Sequence, residues 1–318
     1  MTLSVDVTAA FTAPGADAFA VDGEFEVDRG ETLVVLGPSG SGKTLLLETV
    51  AGFHAHDGHV EMAGTDLAGT PPEDREFGFV FQDYALFPHL TVGENVRYGG
   101  RYCEETGDAD ALLADLGIAD LVDRYPGTLS GGEKQRAALA RSLYVDPEVL
   151  LLDEPLSSLD VPTRTRLRQD VLEMLEDRTA VYVTHDRTTA RMLADHVVVM
   201  RDGGVVQRGS PADVFERPAS SFVARFTGSN CVPLGADGLR AAVDAPPEAE
   251  WLAVRPEDVA IGDGDGLAAT VERVVQEDAA FRVTLAVDGE RLEAFTTDPP
   301  TVGSAVDVSF GPSATTLP

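Results

Sequence analysis

A glycine-rich segment between a predicted strand and a predicted helix constrains the fold of this chain more than any other feature. The segment 37–44 reads Gly-Pro-Ser-Gly-Ser-Gly-Lys-Thr and fits the pattern G-x-x-x-x-G-K-[ST]. The apolar run 33–36 precedes it, and a helical pattern over 45–51 follows it and stops at Gly52. This order directs backbone N–H groups and the helix dipole at one point, which favours an anion. The segment therefore predicts a phosphate-binding loop.

The loop residues have the chemistry to hold a nucleoside triphosphate. The Lys43 ammonium is expected to reach the β- and γ-phosphates, and the Thr44 hydroxyl is expected to bind Mg²⁺. The glycines let the backbone close around the phosphates. The expected binding residues are Gly37, Pro38, Ser39, Gly40, Ser41, Gly42, Lys43 and Thr44.

A second segment carries two carboxylates at the end of a predicted buried strand. The run 149–152 is entirely apolar, as is typical of a strand in a parallel sheet, and Asp153 and Glu154 follow it. Asp153 is expected to hold Mg²⁺ through water, and Glu154 to polarise an attacking water. The alternative is a strand that ends in acidic turn residues, since this chain is very acidic.

A third segment opens a predicted helix and contains two adjacent glycines. Ser130 and Glu133 have the spacing of a capping box, in which each side chain bonds the other residue's backbone N–H. The capping box does not explain Gly131 and Gly132, which lower helix propensity in the first turn. Two glycines there suit a large anion that approaches the backbone closely.

The chain resembles the ATP-binding-cassette (ABC) ATPases, a family of P-loop NTPases, in five motifs that occur in the family's order. The matching parts are the loop 37–44, Gln82 in the glutamine loop, 129–135 in the signature sequence, Ser158 and Asp160 in the D-loop, and His185 as the switch histidine. Glu133 stands where the signature more commonly has glutamine. The resemblance extends over residues 3–225.

This resemblance implies that two copies of the chain close head-to-tail around two ATP molecules, with Mg²⁺. Each site would take its phosphate loop from one subunit and Ser130, Gly131, Gly132 and Glu133 from the other. The resemblance assigns catalytic roles to Lys43, Gln82, Glu154 as general base and His185 at the γ-phosphate. It assigns the Mg²⁺ contacts to Thr44, Gln82 and Asp153.

The family also has an aromatic ring before the phosphate loop that stacks on adenine. Phe11 is the first candidate and Phe19 is the second. The alternative is that both rings belong to the core of the opening β-region.

The predicted fold class is α/β, in two domains. Residues 1–228 are expected to form the ABC ATPase domain, with a parallel sheet core, an antiparallel β-subdomain and a helical subdomain. After 228 helical periodicity ends, and short predicted strands between 251 and 310 indicate a small all-β barrel-like domain over 229–318. It resembles the TOBE (OB-like) accessory domain of importer ATPases, including the R-P-E element at 255–257. The alternative is a dimerisation or stability module.

The importer resemblance implies two transmembrane permease subunits and an extracytoplasmic solute-binding protein as partners. The segment 83–92 corresponds to the region that receives a short helix of the membrane subunit, although its apolar residues also suit core packing. The sequence has no apolar run of about 18–20 residues and no signal peptide pattern at its start. We therefore expect a peripheral protein on the cytoplasmic face of the membrane.

The charge of the chain bears on its class and its environment. Its formal net charge is −30, and only two of its 24 basic residues are lysines, Lys43 and Lys134. Acidic residues spread along the whole chain are typical of proteins from molar-salt cytoplasm, where the Debye length is about 3 Å. The basic residues form no cluster that would suit nucleic acid. This disfavours the alternative of an ABC ATPase that acts on DNA or ribosomes.

The cargo is the least constrained part of the prediction, because the ATPase subunit seldom touches it. The segments 40–53 and 81–89 are most similar to molybdate and tungstate importer ATPases. Polyamine, ferric iron, sulfate and sugar importers remain alternatives, and an exporter is disfavoured by the accessory domain.

Overall fold

The computed structural model describes residues 2–12, 18–103, 106–157, 159–235, 237–262 and 266–318. The chain divides into two compact units, Met1–Ser210 and Pro211–Pro318. No helix within these described ranges has the length and apolar character needed to cross a membrane.

The first unit is built on one large sheet. Its strands are β1 (Leu3–Phe11), β2 (Phe19–Val27), β3 (Thr32–Leu36), β4 (Asp57–Met62), β5 (Thr65–Asp66), β6 (Phe77–Val80), β7 (Val149–Asp153), β8 (Ala180–Thr184), β9 (His196–Arg201) and β10 (Gly204–Gly209). Within the described residues these ten strands follow the order β5-β4-β1-β2-β10-β9-β3-β8-β7-β6. The sheet confirms the predicted α/β class.

Sequence pattern explains which strands are central. Every residue of β3, β7 and β8 is buried, as expected for strands covered on both faces. These strands run parallel: β3 pairs with β8 and β9, and β7 pairs with β6 and β8. In β1 and β2 buried and exposed residues alternate, and the two strands form an antiparallel hairpin with one face on the core. This hairpin is the predicted β-subdomain.

The helices of the first unit include the two predicted ones, after the glycine loop and at the capping box. The helices are α1 (Lys43–Val50), α2 (Val92–Val96), α3 (Ala109–Asp115), α4 (Gly131–Tyr144), α5 (Val161–Leu175) and α6 (Arg187–Leu193). The apolar side of α1 packs on the sheet through Leu46 and Leu47. Helices α2, α3 and α4 share a separate apolar cluster around Val96, Leu113 and Ala137, which is the predicted helical subdomain.

The second unit is mostly antiparallel β-structure. Its elements are α7 (Pro211–Glu216), α8 (Ser221–Thr227), β11 (Asn230–Pro233), α9 (Asp237–Ala242), β12 (Trp251–Val254), β13 (Val259–Gly262), β14 (Leu267–Glu277), β15 (Ala280–Val287), β16 (Glu290–Thr296), β17 (Ala305–Phe310) and β18 (Thr315–Leu317). Described strands form a five-stranded sheet in the order β13-β17-β14-β15-β16 and a three-stranded sheet β11-β12-β18. The edge strands β13 and β16 lie against each other, which gives the barrel-like form.

One detail of the second unit corrects the sequence analysis: helical structure continues past Gly228, since α9 follows it. The second compact unit begins at Pro211, and the domain boundary at 228 stays a prediction. Arg255, the arginine of the R-P-E element, is buried, and its guanidinium donates to the carbonyls of Thr227 and Phe215. Burial of these contacts joins α7 and α8 to β12.

A buried arginine donates a hydrogen bond to the carbonyl at the C-terminal end of α1. The Arg75 guanidinium donates to Val50 O at 2.7 Å, to Thr70 O at 3.0 Å and to Leu67 O at 3.2 Å. Arg75 is 5% exposed, and burial lowers the pKa of its guanidinium. It therefore satisfies the Val50 carbonyl in a buried hydrogen bond and also bonds to the carbonyls of Thr70 and Leu67 in part-buried ones.

We expect Arg75→Met to destabilise the first unit, because it removes three hydrogen bonds, of which the one to Val50 O is buried. A loss of about 3 kcal/mol corresponds to a melting temperature lower by roughly 6–12 °C in calorimetry. Arg178→Met is the matched control, since Arg178 is 38% exposed and 4.0 Å from Asp146. A shift for Arg75→Met no larger than that of Arg178→Met would contradict the role of Arg75.

Candidate functional site

The glycine loop follows β3 and ends at the N-terminus of α1. A Cβ atom at Gly37 would lie 2.6 Å from both Met200 O and Ser41 Oγ, so this position has no room for a side chain. Gly40 and Gly42 have φ of 81° and 94°, in the left-handed region that favours glycine. The sequence thus forms a tight turn because three glycines remove clashes and permit positive φ.

The buried hydroxyl of Ser41 indicates whether the loop suits phosphate. Ser41 is 3% exposed, and its Oγ has no hydrogen-bond partner among the described residues. A buried hydroxyl without a partner is costly unless a ligand satisfies it. A phosphate oxygen is a suitable acceptor, so the loop residues fit a nucleotide.

Lys43 lies inside the loop that it belongs to. Its side chain is 5% exposed, and Nζ donates to Gly37 O at 2.9 Å and to Pro38 O at 3.0 Å. Nζ also lies 3.6 Å from Glu154 Oε1. Burial lowers the pKa of Lys43, while Glu154 and Asp153 oppose that shift. The loop carbonyls and Glu154 therefore hold the ammonium group where phosphate oxygens would meet it.

Asp153 and Thr44 meet at the carboxyl ends of two strands. Thr44 Oγ1 donates to Asp153 Oδ1 at 3.1 Å, and Asp153 is 3% exposed. Burial raises the pKa of Asp153 to about 6. Hydroxyl and carboxylate oxygens are the donors that Mg²⁺ prefers. The described residues include no cluster of three or more His, Cys, Asp or Glu side chains suited to a metal, so phosphate oxygens and water would complete the coordination.

Glu154 and His185 form a hydrogen-bonded pair. His185 Nδ1 lies 2.9 Å from Glu154 Oε2, and the two side chains are 50% and 12% exposed. Glu154 has φ of 41°, which is rare for a side chain other than glycine and common at functional sites. Its N–H donates to Val183 O at 3.0 Å. The strained backbone directs this carboxylate toward both Lys43 and His185.

Gln82 lies at the same edge of the sheet. It follows β6, where Val80 pairs with Leu152 of β7, and this register brings Gln82 near the level of Asp153 and Glu154. The Gln82 side chain is exposed. Strand pairing thus puts Gln82 after the strand next to β7, at the edge of the sheet where Asp153 and Glu154 lie.

The signature segment begins α4 as the capping box predicts. Ser130 N–H donates to Glu133 Oε2 at 2.6 Å, and Glu133 N–H donates to Ser130 Oγ at 3.4 Å. The backbone hydrogen bond from Ser130 lowers the pKa of Glu133. A Cβ at Gly131 would lie 3.1 Å from Leu159, and one at Gly132 would lie 3.2 Å from Leu167. Close packing on the D-loop and α5 is thus a second reason for these glycines.

The D-loop leads directly into α5. Asp160 is the N-cap of α5 and accepts a hydrogen bond from Thr163 N at 3.4 Å, and its hydrogen bonds with Thr163 lower the pKa of Asp160. Ser158 lies outside the described residues. The sequence analysis missed Arg164 and Arg168 of α5, which contact this loop and the loop after β8.

The two aromatic candidates occupy different places. The Phe11 ring makes an edge contact with His54, with centroids 4.9 Å apart. A Cβ at Gly42 would lie 3.0 Å from Cε1 of Phe19, so the Phe19 ring lies against the phosphate loop. Phe19 is therefore adjacent to the loop, whereas the ring contact of Phe11 is with His54.

The parallel sheet, the glycine loop and the paired carboxylates define a P-loop ATPase. Comparison with known proteins then identifies the family. The family model described as ABC transporter matches residues 21–157, and the model described as TOBE domain matches residues 252–317.

Two relatives match over most of the chain. The sulfate/thiosulfate import ATP-binding protein CysA 2 of Agrobacterium fabrum is 40% identical over 299 residues, which are 87% of this chain and 88% of the relative. The molybdate/tungstate import ATP-binding protein WtpC of Pyrococcus horikoshii is 40% identical over 300 residues, 86% of each chain. The protein belongs to the ATP-binding subunits of ABC transporters and carries a C-terminal TOBE domain.

A solved structure supports this assignment. The dimeric post-hydrolysis state of the ATP-binding cassette MJ0796, bound to ADP and Pi, superposes with a TM-score of 0.57 at 26% identity. The match covers 66% of this chain and 99% of MJ0796. The chain is accordingly an ATP-binding enzyme that hydrolyses ATP.

We expect Asp153→Asn to stabilise the protein in the absence of nucleotide, because the charged carboxylate is buried. A pKa of about 6 against 3.8 in the unfolded chain costs about 3 kcal/mol when the group is ionised. The folded state binds the proton of the Asp153 carboxyl more tightly than the unfolded state does. Protonation of Asp153 therefore stabilises the fold fully below pH 3.8, and this contribution is lost as the pH rises through about 6.

Thermal unfolding at several pH values measures this effect. Asp153→Asn should melt higher than wild type at about pH 8, and the difference should shrink toward about pH 5. Asp146→Asn, at an exposed carboxylate, is the control and should show no such trend. A melting temperature of Asp153→Asn below that of wild type at about pH 8 would show that the buried, ionised Asp153 carboxylate does not destabilise the folded protein.

Proposed function

We propose that this chain is the ATP-hydrolysing subunit of an ABC importer of tetrahedral oxyanions, with molybdate or tungstate as the first candidate. The observation that carries the ATPase part is the convergence of Lys43, Asp153, Glu154 and His185 at one edge of the sheet. The import names of the relatives, together with the TOBE domain, support the direction of transport.

The chain's own residues supply the steps at the γ-phosphate. Lys43 leaves the carbonyls of Gly37 and Pro38 and binds phosphate oxygens. Glu154 orients the attacking water and accepts its proton, and His185 contacts the γ-phosphate while it bonds to Glu154. Thr44, Gln82 and Asp153 are the residues that would hold Mg²⁺, and the bound ion would neutralise phosphate charge.

A second copy of the chain completes each site. Ser130 and Glu133 bond to each other in the described structure, and neither bonds to the phosphate loop of the same chain. The N-terminus of α4, with Gly131 and Gly132, therefore remains available to a nucleotide held by a partner. A two-fold arrangement makes the two sites equivalent, and the dimeric state of MJ0796 supports this proposal.

The segment 83–92 divides between core and surface. Leu86 packs with the helical cluster, and Val92 is 1% exposed, so the core interpretation holds for these two residues. Pro88 and His89 are exposed, and the ring centroids of Phe87 and His89 lie 6.1 Å apart. We assign the exposed part of this segment to a short helix of a transmembrane permease subunit.

The remaining partners follow from the importer assignment. Two permease subunits carry the cargo across the membrane, and an extracytoplasmic solute-binding protein delivers it. The ATPase dimer then lies at the cytoplasmic face of the membrane. The acidic surface, with a net charge of −30, is suited to molar KCl, which shortens the Debye length to about 3 Å.

The cargo proposal is supported by the two relatives. One has sulfate/thiosulfate import in its name and the other has molybdate/tungstate import, and both are 40% identical to this chain. Sulfate, molybdate and tungstate are all tetrahedral dianions, whereas another relative, also 40% identical but over 77% of this chain, has Fe(3+) ions import in its name. Sulfate is thus the nearest alternative, followed by ferric iron, polyamines and sugars.

Elemental analysis of cells tests the cargo. Deletion of the gene, with tungsten and molybdenum supplied at trace levels, should lower the cellular content of at least one of them severalfold. Expression of wild type should restore it, and expression of Glu154→Gln should not, because that variant lacks the general base. Radioactive sulfate uptake is measured in the same strains.

Each outcome decides between cargoes. A loss of sulfate uptake with normal tungsten and molybdenum would assign sulfate. Normal values for all three oxyanions would reject the oxyanion proposal and leave the ATPase assignment intact. Rescue by Glu154→Gln would reject the coupling of uptake to hydrolysis at this site.

A further inference from the structure

Helix α5 presents two arginines to the loops that surround Glu154. Arg164 and Arg168 are four residues apart and therefore lie on the same side of the helix, one turn from each other. Asp160, at the end of the D-loop, caps the N-terminus of this helix. The side of α5 that carries the arginines thus faces two segments that follow β7 and β8.

Arg164 holds the backbone of the D-loop. Its Nη2 donates to Leu159 O at 2.7 Å and to Ser157 O at 3.4 Å, and its Nε donates to Leu156 O at 3.3 Å. One planar guanidinium therefore fixes the carbonyls of Leu156, Ser157 and Leu159 in the D-loop. Lysine has a single ammonium group and does not match this arrangement.

Arg168 holds the loop that carries His185. Its Nη2 donates to Asp186 Oδ2 at 2.6 Å, and its Nε donates to Thr189 Oγ1 at 3.0 Å. The Arg168 side chain is 12% exposed. Asp186 also accepts hydrogen bonds from Thr189 Oγ1 and Thr188 N, so its carboxylate has a defined orientation. The residue next to the switch histidine is thereby tied to α5.

The segments that follow β7 and β8 are joined directly by the hydrogen bond between His185 Nδ1 and Glu154 Oε2, at 2.9 Å. A cavity of about 20 Å³, room for one water, lies beside this pair, and Ser157, Arg164, Asp186 and Thr189 are among its lining residues. The two arginines of α5 add a second connection, because each of them bonds to one of the two segments.

We propose that Arg164 and Arg168 are positioning residues for ATP hydrolysis. By fixing the D-loop and the His185 loop to one rigid helix, they set the distance between His185 and Glu154 and the position of the segment offered to the partner subunit. This inference rests on the proposed roles of Glu154 and His185. The described hydrogen bonds of Arg164 and Arg168 go to the D-loop and to Asp186 and Thr189, not to the phosphate loop, so both arginines act on turnover and not on nucleotide affinity.

Steady-state kinetics with a binding measurement separate these effects. Arg164→Met and Arg168→Met should each lower kcat by about tenfold or more, since small displacements of catalytic groups have large effects on rate. The Kd for fluorescent ADP should stay within about threefold of wild type, because P-loop contacts are unchanged. Gln169→Met, on the exposed side of α5, is the matched control and should leave both values unchanged.

A double-mutant cycle tests the connection through Asp186. If Arg168 acts by holding Asp186, the variant Arg168→Met/Asp186→Asn should be no slower than the slower single variant. Multiplied losses would show that the two side chains act separately. Arg164→Lys and Arg168→Lys provide milder variants if a methionine variant does not fold, and each should retain part of kcat.

Three results would overturn the inference. These are unchanged kcat in the arginine variants, a parallel loss of ADP affinity and kcat that indicates general unfolding, and full activity of both lysine variants. Glu154→Gln in the same assay tests the proposed function separately. If Glu154→Gln hydrolyses ATP normally, the assignment of the base fails; if it is inactive while the arginine variants are normal, only the positioning role fails.

Discussion

The parallel pairing of β6, β7, β8 and β3 is the constraint on which the site depends. Because these strands point the same way, their carboxyl ends meet at one edge of the sheet. The phosphate loop follows β3, Glu154 follows β7, His185 follows β8 and Gln82 follows β6. Groups up to about 150 residues apart in the chain thus converge, without any direct sequence signal for their contact.

Buried charge is the second property of this edge. Lys43, Asp153 and Glu154 are largely removed from water, and burial shifts the pKa values of Lys43 and Asp153 toward their neutral forms. The ammonium of Lys43 bonds to carbonyls of its own loop, and the hydroxyl of Ser41 has no partner among the described residues. A nucleotide would bond to these groups. Their burial therefore lowers the stability of the nucleotide-free protein and favours nucleotide binding.

Sequence reasoning identified elements with local signals and missed those that depend on tertiary contacts. The buried strand β7 and the Ser130–Glu133 capping box follow from composition and spacing alone, and the structure has both. Arg164 and Arg168 were visible only as basic residues, because their acceptors lie in loops that the fold brings to α5. The contacts that join α7 and α8 to β12 were missed for the same reason, since they depend on the buried guanidinium of Arg255.

The central claim has two parts. Each ATP site takes its phosphate loop from one copy of the chain and its signature segment from the other, and Glu154 is the general base for ATP hydrolysis. Light scattering of Glu154→Gln with ATP, in molar KCl, tests both parts in one experiment. The account predicts a stable dimer that retains ATP without hydrolysis, and a return to monomer when ATP is removed. A monomer that binds ATP, or a Glu154→Gln protein that turns over ATP at the wild-type rate, would contradict it.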